Sequence, residues 1–278
     1  MPRPIDGKNV IYHYLQKVII PRDDDFSRQL IFQLVVDLSI WLPAGLYREV
    51  PVLLPYCVRD GEIRGREWGS ANARGYLRDN NSLLKLLVGN YAIRSPRLSF
   101  YQNMRRGRGF VACHLWRRIY LDGEKLVSPA HPKTYSFLPN LAWLPAQVAR
   151  LTDHEGSFAQ QLLQVISHQL YAAQAADHPP ELAMIWQALP RPELELQVDL
   201  EGLNYFIVSQ RAIHIRRNHL LDEIATLEEA LERGSSRQKS PHSARYLPSL
   251  LKIPAEQTAG LRQWLRSYRQ YLQNRARG

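Results

Sequence analysis

The sequence GFVACHLW occupies residues 109–116, and the sequence TYSFLPNLAWLPAQVARLTDHEG occupies residues 134–156. The first run is short and apolar, which predicts a buried strand over 110–116. The apolar run 135–144 ends at Pro145 and predicts a second extended element. Thr152 and Glu155 then have the spacing of a capping box before apolar residues of helical period, which predicts a helix over 153–174. The predicted order is strand, connection, strand and helix.

This stretch resembles the HNH (ββα-metal) endonuclease superfamily over residues 109–154 of the 278-residue chain. The resemblance is carried by Cys113-His114 at the end of the first strand and by Asn140, which opens the motif NLAWL at the second. It implies that His114 is the general base and that Asn140 braces the hairpin that carries it. It also implies a divalent metal ion, with ligands among Asp153, His154 and Cys113.

Hydrolysis of a phosphodiester needs a base that deprotonates water and a cation that neutralises the charge growing on the phosphate. The implied ion is Mg²⁺, Mn²⁺ or Zn²⁺, and a thiol at Cys113 suits Zn²⁺ better than Mg²⁺. Each residue also has a structural explanation. His114 is then a hydrogen-bonded core histidine, Asn140 a turn residue, and Cys113 a small buried hydrophobe. Asp153 and His154 are explained by helix capping.

The charge of the chain predicts a polyanionic partner. The formal net charge is +10 and the isoelectric point is about 9.7, and residues 59–118 hold thirteen basic residues against four acidic ones. Nucleic acid, and DNA in particular, is the expected partner, with phosphate contacts and stacking on nearby aromatic rings. The alternative for any one arginine is a solvated basic face. The predicted nucleic-acid-binding residues are Arg105, Arg106, Arg108, Arg117 and Arg118, and the interleaved aromatic residues are Trp68, Tyr76, Tyr91, Phe100 and Tyr101.

Several classes of protein are disfavoured by the sequence. Two cysteines, Cys57 and Cys113, are too few for a disulfide scaffold, and no apolar run is long enough to span a membrane without polar residues. No Walker A loop and no dinucleotide-binding glycine motif occurs. We therefore expect a cytoplasmic protein with no membrane partner.

The flanking regions predict mostly helices. A helix is expected over 24–41 behind the acidic run 23–25, which suits a helix N-terminus and is a weaker candidate for a metal site. The proline-rich segment 177–192 predicts a connector with a short helix, and 194–208 predicts one or two strands. Apolar residues of helical period over 220–231 predict a helix that ends at Gly234. The polar segment 235–248 predicts a linker, and a basic last helix is expected to start near 255.

The predicted fold class is α+β, a mixed α/β chain with an embedded HNH-like module and helical N- and C-terminal parts. The predicted segments are a basic nucleic-acid-binding region over 1–108, the ββα module over 109–176 and a helical region over 177–278. The predicted function is that of a metal-dependent endonuclease acting on DNA, in restriction or mobile-element defence. The alternative is a catalytically degenerate HNH-like subunit that binds nucleic acid within a larger nucleoprotein complex.

Overall fold

A mixed five-stranded sheet organises the fold in the computed structural model, which describes residues 24–60, 68–121, 123–234 and 245–277. The strands in chain order are β1 (Ile40–Trp41), β2 (Cys57–Arg59), β3 (Leu77–Asp79), β4 (Ile93–Arg94), β5 (Phe110–His114), β6 (Arg118–Leu121), β7 (Glu124–Val127), β8 (Leu141–Pro145) and β9 (Asn204–Phe206). The main sheet has the order β4-β9-β1-β8-β5, in which only the pair β1–β9 is parallel. A parallel pair β2–β3 and an antiparallel hairpin β6–β7 form separate two-stranded sheets.

The described part of the chain forms ten helices. They are α1 (Asp25–Leu38), α2 (Ala44–Glu49), α3 (Ser82–Leu87), α4 (Pro132–Tyr135), α5 (Ala146–Ala149), α6 (Phe158–Ala175), α7 (Pro180–Gln187), α8 (Gln210–Arg233), α9 (Tyr246–Leu250) and α10 (Ala259–Arg277). Short 3₁₀ turns cover Ser128–Ala130, Leu138–Asn140 and Arg150–Thr152. None of the helices in the described ranges is both long and apolar enough to cross a membrane.

The α+β class predicted from the sequence is confirmed. The five-stranded sheet takes β1 and β4 from residues 1–108, β5 and β8 from 109–176, and β9 from 177–278. The buried side chains of all three segments belong to one hydrophobic cluster. Strands far apart in the chain therefore share one core.

The C-terminal helices pack onto the N-terminal segment. The Tyr268 hydroxyl of α10 donates to the Val52 carbonyl at 2.7 Å and accepts from the Val52 amide at 3.0 Å. The indole N–H of Trp264 donates to the Pro55 carbonyl at 2.9 Å. These bonds satisfy backbone groups of the loop before β2, which would otherwise be buried without partners.

The first predicted helix is present but shorter than expected. The Asp24 carboxylate accepts from the Ser27 amide at 2.7 Å, so the acidic run caps α1, as its structural explanation required; Asp23 lies outside the described residues. The helix ends at Leu38 instead of 41 because Ile40 and Trp41 pair with β8 and β9.

The predicted capping box at Thr152 and Glu155 is wrong. The Thr152 hydroxyl donates to the Ala149 carbonyl at 2.7 Å, within a 3₁₀ turn that the Asp153 amide closes on the Arg150 carbonyl at 3.1 Å. Gly156 then has φ +75°, and the helix starts only at Phe158. Ser157 caps it by accepting from the amide of Gln160 at 3.3 Å. The side chain of Gln160 completes this reciprocal cap by accepting from the amide of Gly156 at 2.7 Å.

The C-terminal predictions are confirmed in part. Of the one or two strands expected over 194–208 one forms, β9, and Gln169 of α6 bonds the backbone of Leu196 and Val198 before it. Gly234 ends α8 in the left-handed region at φ +65°, as predicted. Residues 235–244 of the predicted linker lie outside the described residues, and α9 occupies the rest of it. The last helix starts at Ala259 instead of near 255.

Candidate functional site

The candidate site lies where β5 ends beside the start of β8. The two strands pair antiparallel, with Phe110 opposite Pro145 and His114 opposite Leu141, which confirms the predicted pairing. Both strands are shorter than the predicted 110–116 and 135–144, because the chain turns after His114 and forms a 3₁₀ turn over Leu138–Asn140. The amide of Leu115 donates a hydrogen bond to the Asn140 carbonyl at 3.1 Å, one residue beyond the paired residues of β5 and β8. His114 and Asn140 are thereby brought to the same end of this strand pair.

The orientation of the His114 ring is fixed by the connection between the two strands. Its Nε2 lies 2.8 Å from the Tyr135 carbonyl oxygen, and a carbonyl only accepts, so Nε2 carries the proton. The ring also stacks on the Tyr135 ring, with centroids 5.6 Å apart. Nδ1 is then the unprotonated nitrogen, and it is buried with no hydrogen-bond partner among the described residues.

His114 is held in its neutral form. Burial lowers its pKa from 6.5 to about 4, the bond to the Tyr135 carbonyl opposes this shift, and the positive charges of Arg59 and Arg117 add to it. The imidazole therefore presents a lone pair on Nδ1 at neutral pH.

Asn140 connects three parts of the same site. Its side chain is fully buried, and its Oδ1 accepts from the Trp116 amide at 2.8 Å. Its Nδ2 donates to the Ser128 hydroxyl and to the Thr134 carbonyl at 3.2 Å. Thr134 precedes Tyr135, whose carbonyl holds His114. Asn140 thus fixes the segment after β5 relative to the turn that orients the imidazole.

A cleft of about 670 Å³ opens beside His114. Four cationic side chains line it, from four different parts of the fold, namely Arg59, Lys85, Arg117 and Arg150. Among the described residues that line it, Asp153 is the one carboxylate. A phosphate group is the kind of ligand that such a charge distribution favours.

The three predicted metal ligands are placed differently. Cys113 and Asp153 line the cleft, whereas His154 is exposed in the following turn and does not line it. Burial and the Asp153 charge raise the pKa of Cys113 to about 12, so the thiol stays protonated at neutral pH. The Asp153 carboxylate accepts from Arg117 at 2.7 Å. Within the described ranges no three His, Cys, Asp or Glu side chains gather as an ion would require.

The predicted nucleic-acid-binding arginines fall into two groups. Arg105, Arg108 and Arg118 are exposed. Arg106 is half-buried and donates to the Lys85 carbonyl at 2.8 Å and to the Gly107 carbonyl at 3.1 Å, and burial lowers its pKa. Arg117 lines the cleft but is paired with Asp153, as described above.

Sequence reasoning did not single out several residues of the cleft, Asn81 and Arg150 among them. Asn81 has φ +70° before α3, donates to the Ala112 carbonyl at 3.2 Å, and keeps a buried Oδ1 with no partner among the described residues. Arg150 reaches the cleft from the 3₁₀ turn after β8. The Asn-Asn-Ser run at 80–82 is a turn signal before the apolar α3, but nothing local places it beside β5.

Comparisons with protein-family models, with curated proteins and with solved structures return no match to this chain.

Proposed function

We propose that this protein is an endonuclease that hydrolyses phosphodiester bonds in DNA, with His114 as its general base. The observation that supports this best is a neutral imidazole that lines a cationic cleft and whose buried Nδ1 has no hydrogen-bond partner among the described residues. A base must be deprotonated before it can accept a proton, and the hydrogen bond to Tyr135 leaves that nitrogen free to do so.

The cationic side chains of the cleft bind the scissile phosphate. Arg59, Lys85 and Arg150 bring positive charge to its walls, and Arg117 brings more when a phosphate competes with Asp153 for it. The Arg117–Asp153 pair is about half exposed, so it contributes little to stability, on the order of 1 kcal/mol or less. A bound phosphate anion favours the protonated form of His114, which raises its pKa from about 4 toward the range of an effective base.

The resemblance to the HNH superfamily implies a divalent ion, but the described residues do not fit one as they are arranged. His154 does not line the cleft, and Asp153 is engaged by Arg117. We therefore assign no step to a metal. The requirement for Mg²⁺, Mn²⁺ or Zn²⁺ is part of the assay below.

The test is cleavage of plasmid, linear duplex, single-stranded DNA and RNA, each with and without added divalent ion. We expect His114→Ala to slow cleavage by about a hundred- to ten-thousandfold, because the base acts on the attacking water. Binding of DNA should remain, because the imidazole contributes little to ground-state phosphate contacts.

His178→Ala is the matched control. His178 is as buried as His114, at 8% exposure, and burial also lowers its pKa to about 4, but it does not line the cleft. Its removal should leave the cleavage rate of the folded protein unchanged. Cleavage that survives His114→Ala contradicts the proposal.

The second candidate is a catalytically degenerate HNH-like subunit that binds nucleic acid within a nucleoprotein complex. The observation that favours it is the same arrangement of Cys113 and Asp153, which leaves no preassembled set of metal ligands in the described part of the cleft. Wild-type protein that binds DNA but cleaves none of the four substrates with any of the three ions would establish this alternative.

A further inference from the structure

The β6–β7 hairpin, in the connection between β5 and β8, has one face turned to the core. Ile119 is fully buried, Leu121 is 4% exposed, and Leu126 opposite Ile119 is half-buried. An isolated two-stranded hairpin is marginally stable in water, so this apolar face is what holds the hairpin in place. The buried face therefore fixes the hairpin, a two-stranded ribbon, to the body of the protein.

The other face is cationic and exposed. Tyr120 is 61% exposed and lies directly opposite Lys125, whose ammonium is 5.9 Å from the centre of the Tyr120 ring. Arg118 is the next residue on this face and lies opposite Val127, which is 58% exposed. Two cations and an aromatic ring thus form a ladder on the described part of this face, with no acidic side chain among them.

The ribbon leads directly into the candidate site. Val127 at its end lines the cleft, and so does Arg117, which immediately precedes β6. The amide of Ser128 donates to the Arg117 carbonyl at 2.8 Å, which extends the pairing of the two chains to the cleft itself. A polymer that occupies the cleft and extends past Val127 therefore meets the cationic face.

We propose that the β6–β7 ribbon is a duplex-binding element that enters the major groove of DNA beside the cleft, with Arg118, Tyr120 and Lys125 facing the DNA. This inference rests on the proposed function for the nature of the ligand, but not on cleavage. The major groove of B-DNA admits a two-stranded β-ribbon, and cationic side chains on such a ribbon reach phosphates and the guanine edge.

The arrangement favours duplex over single-stranded DNA. Stacking of an unpaired base requires an open ring face, and the Lys125 ammonium lies over one face of the Tyr120 ring and competes with a base for it. Alternate residues of β6 and β7 project outward together, so the three side chains form a row along the ribbon instead of a pocket for one base.

The test compares two triple variants in equilibrium binding to a labelled duplex and to a single strand of the same sequence. The ribbon variant combines Arg118→Ala, Tyr120→Ala and Lys125→Ala. The control variant combines Arg211→Ala, Lys252→Ala and Phe26→Ala, which removes two exposed cations and one exposed ring that do not line the cleft. All six side chains are exposed, so both variants should fold.

We expect the ribbon variant to lose about tenfold or more in duplex affinity and clearly less in single-strand affinity. The slope of log affinity against log salt should also become shallower by about two for the duplex, because two phosphate contacts are removed. The control variant should match the wild type in both measurements.

Equal losses for duplex and single strand, or no loss in the ribbon variant, overturn the ribbon proposal. Wild type without affinity for the duplex overturns it as well. A failure of the proposed function gives a different pair of results. Cleavage then survives His114→Ala, while the ribbon variant still binds the duplex more weakly than the wild type.

Discussion

His114 makes the stability of the protein depend on pH. Folding lowers its pKa from 6.5 to about 4, mainly through burial. Between these two values the unfolded chain binds a proton that the folded chain does not, so the free energy of unfolding rises with pH. The stabilisation is complete above pH 6.5 and is lost as the pH falls toward about 4.

The size of this effect follows from the two pKa values. Each pH unit corresponds to about 1.36 kcal/mol for one proton, so His114 accounts for at most about 3 kcal/mol between these limits. That is a large part of the roughly 5–15 kcal/mol that stabilises a typical domain. Acid should therefore begin to weaken the protein above the pH at which its carboxylates are neutralised.

The assay is urea denaturation at several pH values between about 4 and 7 for the wild type and for His114→Gln. Glutamine carries an N–H donor but does not titrate, so this variant should have a flatter pH dependence, by up to about 3 kcal/mol over the interval. His178→Gln is the companion variant, because burial also lowers the pKa of His178 to about 4. A pH dependence of His114→Gln that equals that of the wild type would refute the assignment of His114 as a buried neutral imidazole.

Two further predictions concern stability. Asn140→Ala should lower the free energy of unfolding by about 2–5 kcal/mol, because it leaves the Trp116 amide and the Thr134 carbonyl buried without their partner. Urea denaturation measures this loss. A loss below about 1 kcal/mol would contradict the bracing role of Asn140. Ser157→Ala should cost about 1 kcal/mol through loss of the α6 cap, whereas the exposed Glu155→Ala should change stability by less than about 0.5 kcal/mol. Thermal unfolding of the Ser157→Ala and Glu155→Ala variants measures both losses. A larger loss of stability in Glu155→Ala than in Ser157→Ala would show that Thr152 and Glu155 cap the helix.

The Arg117–Asp153 pair has two consequences for the site. It holds the turn after β8 against the end of β5, since Arg117 also donates to the Asp153 carbonyl. It also places a carboxylate where an anionic ligand would bind the same guanidinium. Binding of a phosphate and release of Asp153 are therefore coupled in the proposed function.

Much of the central module was predictable because its signals are local. The apolar runs over 110–116 and 135–144 are bounded by glycine and proline, and two such runs joined by a connection pair readily. His114 and Asn140 were singled out by the resemblance to the HNH superfamily that these runs carry, and the structure brings them to the same strand end. The Ser157 cap, with Gln160 three residues on, is also a local signal, but Thr152 and Glu155 offered the same spacing five residues earlier. Only the turn at Gly156 distinguishes the Ser157 cap from the spacing of Thr152 and Glu155.

The sequence by itself determined the α+β class, the β5–β8 pair and the excess of positive charge. The tertiary structure alone decided which charges share a surface: Arg59, Lys85 and Arg150 come from separate elements that meet only when β2, α3 and the turn after β8 pack around β5. It also decided that Tyr120 faces outward beside Lys125. Periodicity reports how a segment folds locally, whereas exposure and charge clustering depend on contacts between distant segments, which no local pattern contains.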